Sequence, residues 1–441
     1  MADPPKRERE GGHVPFVWSC LQCGVECMAD RIVLTAAVLS GMLLSVGAAP
    51  THAQVKLTFE KRPSFRVGSL VTADVRFKSQ TDFRDFPAEP DEPSKHLVDL
   101  HRTRLGIEGR LVKVLEYQVE GELNDASKPL RDVYLETRNL RGLQVRAGQF
   151  KIPFGLEQLT SGMDLDFNYR ALASTYLAPG RDVGVMAFGR VLNDVFRYQM
   201  GVFRRGGDNV RQSERTDAQA DRTVAARVVV RPWSASENLM RTFAVGVAST
   251  VGRLPAGPNG IRGKTIPGDG FFERLYVKGD RRRIGTEFQW RPGPVGLQAE
   301  FIRTRDQRFG QGIENENLPD AYARGWYASG TWLLTGERKK DSVEPDRPFL
   351  QGGIGAVEIA ARFERLAASN HAVNDGSFSS PRSAWVLPRT DDVWTSGVNW
   401  YLSEYVKLQA NVIRERRLED GQVIPGKKNL WSRTLRIQLG F

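Results

Sequence analysis

The chain has 441 residues and carries 63 Lys and Arg against 52 Asp and Glu, a net charge of +11. Its three cysteines, Cys20, Cys23 and Cys27, all lie in the first 27 residues, and His13 alone does not complete a metal-ligand set with them. A disulfide scaffold and a Cys-based metal centre are therefore excluded for the rest of the chain, and a basic balance spread along its whole length argues against nucleic acid as partner.

Residues 1–27 precede a good initiator, Met28, and read as an over-extended start. Residues 28–53 read as a signal peptide: Arg31, an apolar run from Ile32 to Val46, then small residues before Thr51-His52-Ala53. Cleavage is expected after Ala53, with Ala49 as the alternative. The apolar run is about 15 residues, short of the roughly 20 that a membrane helix needs. What remains, residues 54–441, holds 45 Arg and 14 Lys against 47 acids. Arginine's planar fork suits phosphate and carboxylate oxygens.

From there the pattern is all-β. Segments of roughly ten residues with one apolar face recur between turn signals, as in an outer-membrane barrel. The first is Phe65 to Phe77, then a polar stretch leads to Leu97–Leu111, Val114–Leu123 and Asp132–Thr137. The fifth strand begins at Leu143, where Leu143, Val145 and Ala147 alternate with Gln144, Arg146 and Gly148. Its alternation breaks at Gln149-Phe150-Lys151, and Pro153 cannot donate to a ladder. A long excursion follows, with acids, aromatics and Arg170, until Pro179-Gly180 turns into Asp182–Val191. Then come Val195–Phe203, Thr223–Arg231, Arg241–Thr250, Arg281–Arg291, Val295–Thr304, Ala321–Leu334, Ala356–Leu366, Val393–Leu402, Val406–Arg414 and Ser432–Phe441, sixteen strands in all.

The connections fall into two classes. Odd-to-even connections are mostly long and even-to-odd ones mostly tight, which predicts a sixteen-stranded antiparallel transmembrane β-barrel with long outer loops and short periplasmic turns. The connection from Gly336 to Gly353 is the exception on the short side. Leu435, Ile437, Leu439 and the terminal Phe441 form an amphipathic last strand resembling an outer-membrane assembly signal. Trp290, Trp332 and Trp431 lie near strand ends, as interfacial girdles require, although core positions are equally compatible with sequence alone. The lumen of such a barrel is wide enough for water. By parity the excursion Pro153–Gly180 is the third outer loop and is expected to fold inward.

Five stretches in series, GQFKIPFGLE (Gly148–Glu157), LAPGRDVGV (Leu177–Val185), WLLTGE (Trp332–Glu337), GAVEIAARFERL (Gly355–Leu366) and GVNWYLSEYVKLQANV (Gly397–Val412), resemble the phosphate-selective porin O and P family over nearly all of residues 54–441. The resemblance implies a porin, usually trimeric, passing anions such as phosphate or polyphosphate through a pore lined by basic residues. It also implies the long connection after Gly336.

Candidate pore-lining cations are Arg146, Lys151 and Arg181 around the excursion, and Arg102, Arg104, Arg227, Arg362 and Arg436 by strand parity; Arg110 and Arg291 share that face. A charge at the lipid midplane costs roughly 2–4 kcal/mol, so mid-strand arginines should point inward. Glu108, Glu120, Glu122, Glu287, Glu300 and Glu358 share the same face, so a neutral ladder is the competing arrangement; Asp164 and Asp166 in the excursion add to it. The expected partners are small phosphate-like anions, outer-membrane lipid and lipopolysaccharide, the barrel assembly machinery and two further copies of the chain, with no cofactor and no metal. No nucleophile elbow or catalytic constellation is visible. His96 and His101 read as rim residues. The alternatives are a weakly selective barrel, and a non-transport structural or adhesion barrel or export channel.

Overall fold

In the computed structural model, the described residues are 55–441 except 69, 87–94, 113, 126–128, 139–141, 206, 208–221, 259–262, 269, 271, 273, 371, 373, 375–378, 421 and 424–428. The expectations for residues 1–53 lie outside them. Sixteen strands form the wall: β1 Val71–Phe86, β2 Lys95–Leu111, β3 Leu115–Glu122, β4 Leu130–Thr137, β5 Gln144–Lys151, β6 Arg181–Val191, β7 Phe196–Phe203 and β8 Thr223–Val230 in the first half. The second half is β9 Ala244–Pro258, β10 Tyr276–Trp290, β11 Val295–Arg308, β12 Leu318–Leu333, β13 Ala356–Ser369, β14 Arg389–Tyr401, β15 Val406–Glu419 and β16 Leu430–Gly440. Each pairs antiparallel with the next, and β16 pairs with β1 from Arg433↔Asp85 to Gly440↔Lys78, which closes the barrel.

The first predicted strand needs correction. Phe65–Phe77 is not one strand: Pro63–Val67 is a separate short strand, and a turn through Gly68 at φ 55° folds β1 back against it. Glycine reaches that left-handed conformation without Cβ strain. The short strand fills the edge of β1 below the point where β16 ends. Phe441 is zipped in beside it, exchanging backbone bonds of 3.1 and 3.0 Å with Phe77.

Side-chain period sets the two faces of the wall. Along β15, Lys407, Gln409, Asn411, Ile413, Glu415 and Arg417 are buried toward the lumen, while Ala410 and Val412 are exposed outward. Trp332 and Trp431 stand outward and about half exposed, so they are not core residues. Long and short connections alternate as the pattern predicts, and 334–355 is the long member of the short class. Strands on the second half extend further at the long-connection end than their sequence pattern indicates, β9 to Pro258, β13 to Ser369 and β15 to Glu419.

Candidate functional site

The segment 152–180 leaves the wall after Lys151 and turns into the lumen. Its apolar side chains are what draw it there: Ile152, Phe154, Leu165, Phe167, Leu172 and Leu177 are all buried. Phe154, Leu172 and Leu177 pack with Ala248, Ile302, Ala323, Leu366 and Ile413 from the wall, and with Phe272, Leu275 and Val386 from the connections above. The loop is thus the core of an otherwise hollow structure.

Polar groups of the second-half strands fix its path. Two short helices, α1 Leu156–Leu159 and α2 Leu172–Tyr176, present backbone N–H groups that no helical carbonyl can satisfy. Carboxylates accept them. Leu156 N and Glu157 N donate to Glu300 at 2.5 and 2.9 Å, Ala171 N donates to Glu157 at 2.7 Å, and Leu172 N donates to Glu364. Arg362 joins Glu157 and Glu364, each at 3.0 Å. Further along, Asn168 bonds Asn411 and Thr434, while Lys407 and Gln409 both donate to the Leu165 carbonyl. Gln438 and Gln80 hold Met163 and Gly162.

The long connection 334–355 takes part from the opposite end. Its Lys339 reaches into the lumen and bonds Asp166 at 2.5 Å and Glu358 at 2.6 Å, with all three side chains nearly excluded from solvent. Lys339→Met would leave two carboxylates buried without their cation, a loss of about 3–5 kcal/mol. The expected result is earlier heat unfolding and faster proteolysis within 160–168; unchanged protection would show that the lysine does not seat the loop.

This docking divides the lumen. Lumen-facing residues of β13, β15 and β16 are almost all buried under the loop, whereas those of β2, β4 and β5 stay partly exposed. The more open part of the lumen therefore lies along β2, β4 and β5.

The predicted cations are distributed between the two sides. Arg362 and Arg436 are 2% and 1% exposed, paired with Glu157 and Glu364 and with Asp82. They fasten the loop and the wall and present no surface to a solute; parity placed them inward but could not show that a loop covers them. Arg104 pairs with Glu120 and Glu122, Arg146 with Glu136, Arg181 with Asp132, and Arg227 with Glu287. Arg291 meets Asp341, and Arg110 is exposed. Glu108 is taken by Arg62 and Arg76, Glu120 also by Lys78, and Glu122 also by Arg131. A neutral ladder accordingly covers much of the wall.

Three cations differ. Arg102 donates to Gln80 at 2.8 Å; Lys151 donates to the carbonyls of Leu159 and Thr160 at 3.1 and 3.0 Å; Arg170 donates to the carbonyls of Glu157 and Thr160 at 2.6 and 2.8 Å. Among the described residues, none of the three has a carboxylate within ion-pair distance. Arg102 also lies flat against the loop, where a Cβ on Gly162 would stand 1.7 Å from its Nη1. Arg104 and Arg170 act electrostatically on both Arg102 and Lys151, with Glu122 opposing at Arg102 and Asp132 at Lys151, so the three cations lie in one electrostatically linked region between loop and wall. Arg170 and Lys339 were not among the sequence-derived pore candidates. Arg170 lies in the excursion that the broken alternation singled out, and Lys339 in the one connection too long for its class.

The sequence profile of the phosphate-selective porin O and P family matches residues 73–423. The chain belongs to that family. It is 22% identical over 397 residues to Porin O of Pseudomonas aeruginosa, covering 81% of this chain and 84% of that one. Its fold is similar to the anion-selective porin from Comamonas acidovorans, with a TM-score of 0.53 at 13% identity, over 84% of this chain and 100% of that one. It is also similar to the trimer form of in-vitro folded OmpT from Vibrio cholerae, with a TM-score of 0.51 at 12% identity, over 84% and 100% of the two chains. As a member of the phosphate-selective porin O and P family the chain is an outer-membrane porin.

Asp164 is the negative group of this porin's loop with the most to say about pH. Burial raises its carboxyl pKa above the usual aspartate range, with Asp341 adding to the effect and Lys407 opposing it. As pH falls, Asp164 should take up its proton before an exposed aspartate does, and the lumen loses a negative charge. Anion preference is therefore expected to increase on mild acidification, read as a shift in reversal potential. Asp164→Asn should remove that early part of the shift; an identical titration in the variant would assign it to other groups.

Proposed function

We propose that the barrel is a water-filled diffusion channel preferring small anions, phosphate-like oxyanions among them. The observation that carries this reading is the group Arg102, Lys151 and Arg170, which donate to neutral oxygens on the partly exposed side of the lumen and, among the described residues, make no ion pair. A guanidinium has five N–H donors, so Arg102 and Arg170 both keep donors for a passing oxyanion. Rings of Arg and Lys favour anions in a pore. The family's description and the name of the Comamonas acidovorans porin point the same way.

The paired ladder favours a second reading, a channel with only weak preference. Arg104, Arg146, Arg181 and Arg227 bring no net charge to the lumen while Glu122, Glu136, Asp132 and Glu287 stand beside them. Planar-bilayer recordings separate the two. An anion-selective reversal potential, with chloride current blocked by phosphate, supports the first reading. A potential near zero supports the second. Cation selectivity removes both, and absence of conductance removes both and leaves a structural or adhesion barrel.

The remaining proposals concern place and assembly. The long connections face outward and the short ones the periplasm, residues 28–53 direct export, and Leu435, Ile437, Leu439 and Phe441 form the signal read by the assembly machinery. A trimer of this chain is proposed with the Vibrio cholerae trimer form as its support; native mass spectrometry of the detergent-extracted protein tests it.

A further inference from the structure

The outward face of the second half carries arginines that a solute in the lumen never meets. Arg282 of β10 lies opposite Arg305 of β11, and Arg303 of β11 lies opposite Arg324 of β12. Their neighbours in sequence, Arg281, Arg283, Thr304, Asp306 and Ala323, are buried toward the lumen, so strand parity turns these four arginines outward. Arg282 and Arg305 keep 62% and 47% of their side-chain surface. Like charges directly opposite each other on a sheet repel. Asp320 offsets Arg305 at 2.5 Å and Asp280 stands 3.7 Å from Arg282. Arg303 has the ring of Tyr322 at 5.3 Å, and among the described residues neither it nor Arg324 has a carboxylate in reach.

Their height on the wall gives the reason. One step further down each strand, the outward residue is Ile284 on β10, Phe301 on β11 and Trp326 on β12, all exposed. Below Trp326 on β12 the outward residues run through Ala328 to Trp332. From Arg324 to the exposed Leu334 just past the end of β12, ten residues at about 3.4 Å each and a tilt near 40° rise about 26 Å, close to the ~25 Å apolar height of an outer-membrane barrel. The arginines therefore mark the border of the apolar band at the long-connection end.

We propose that this border is a binding site for the phosphate groups of an anionic outer-leaflet glycolipid, centred on Arg303 and Arg324. Two guanidinium forks on adjacent strands can each take a phosphate oxygen pair. The acyl chains then lie over Phe301, Trp326 and the apolar wall beneath them. The inference rests on the outer-membrane placement and not on the selectivity of the lumen.

The test uses the purified protein in detergent, titrated with bis-phosphorylated lipid A, with the same lipid dephosphorylated, and with inorganic phosphate; bound lipid is counted by native mass spectrometry. Lipid A is expected to bind, the dephosphorylated lipid to bind at least roughly tenfold more weakly, and inorganic phosphate not to displace it at equal concentration. The Arg303→Gln/Arg324→Gln variant should show a similar loss, and Arg303→Lys/Arg324→Lys an intermediate one because charge is kept without the fork. Equal binding of both lipids, or no loss in the glutamine variant, overturns the site; displacement by inorganic phosphate at equal concentration overturns the lipid as its ligand. Chloride conductance should be unchanged in the glutamine variant, which separates this result from failure of the channel reading. If the double variant does not fold, the single substitutions, each removing one outward charge, give the same readout.

Discussion

Replacing Arg102, Lys151 and Arg170 together by glutamine is expected to lower the anion-to-cation permeability ratio on the order of tenfold at low salt. A unit charge about 7 Å from a passing monovalent ion contributes about 0.6 kcal/mol even at the dielectric constant of water, so three such charges acting in concert amount to nearly 2 kcal/mol. The three are chosen because they donate to carbonyl and amide oxygens and, among the described residues, make no ion pair with an acid. Salt sets a second expectation. The Debye length falls from about 30 Å at 0.01 M to about 3 Å at 1 M, so the difference between variant and parent should shrink as salt rises. Arg146→Gln is the control, since Glu136 already accepts from its Nε at 2.7 Å and removing the arginine strands an acid instead. That variant should move the reversal potential toward cations by a single charge. Reversal potentials under a potassium chloride gradient measure all of this, and an unchanged ratio in the triple variant would rule out the region as the selective element.

Glu300→Ala is expected to release the loop. The two Glu300 oxygens accept from Leu156 N, Glu157 N, the hydroxyl of Tyr327 at 2.8 Å and, more distantly, the Ser174 hydroxyl at 3.4 Å, in a fully enclosed setting. Removing the carboxylate leaves two backbone donors and a phenol without an acceptor, each at about 1–3 kcal/mol. The sum, on the order of 4 kcal/mol, is comparable to what a few buried apolar side chains contribute to docking a segment of this length. Single-channel conductance should rise and become noisier, and a protease should cut between residues 156 and 176 where the parent is protected. Tyr327→Phe removes one of the four donors and leaves the carboxylate in place, so its effect should be about 1 kcal/mol. If conductance and protease protection survive Glu300→Ala, the apolar cluster around Phe154, Leu172 and Leu177 holds the loop without help from the carboxylate.

Both expectations depend on a division of the lumen that strand parity does not contain. Parity assigns Arg102, Arg104, Arg227, Arg362 and Arg436 to one face as equals. In the folded barrel, Arg362 and Arg436 lie in sealed ion pairs, Arg104 and Arg227 sit in partly open ones, and Arg102 makes no ion pair among the described residues. What separates them is which lumen positions lie under the loop, and this follows from contacts across 100 to 250 residues of chain, such as Asn168 with Asn411.

The sequence by itself determined the number and order of the strands, because a half-lipid, half-water environment imposes a period of two that each segment carries locally. It determined the alternation of long and short connections for the same reason, and it marked 152–180 as exceptional through a broken period and Pro153. Family membership was also legible, in five stretches that keep their order along the chain. The first strand was misplaced because alternation runs through Pro63–Val67 and into β1 without showing that Gly68 reverses the chain. The tertiary structure alone decided where the loop lies, which wall it covers, that Lys339 reaches it from the opposite end, and which cations are left without an acid. Those outcomes are set by pairing at a distance, where one carboxylate has several arginines within reach and only the folded lumen selects among them.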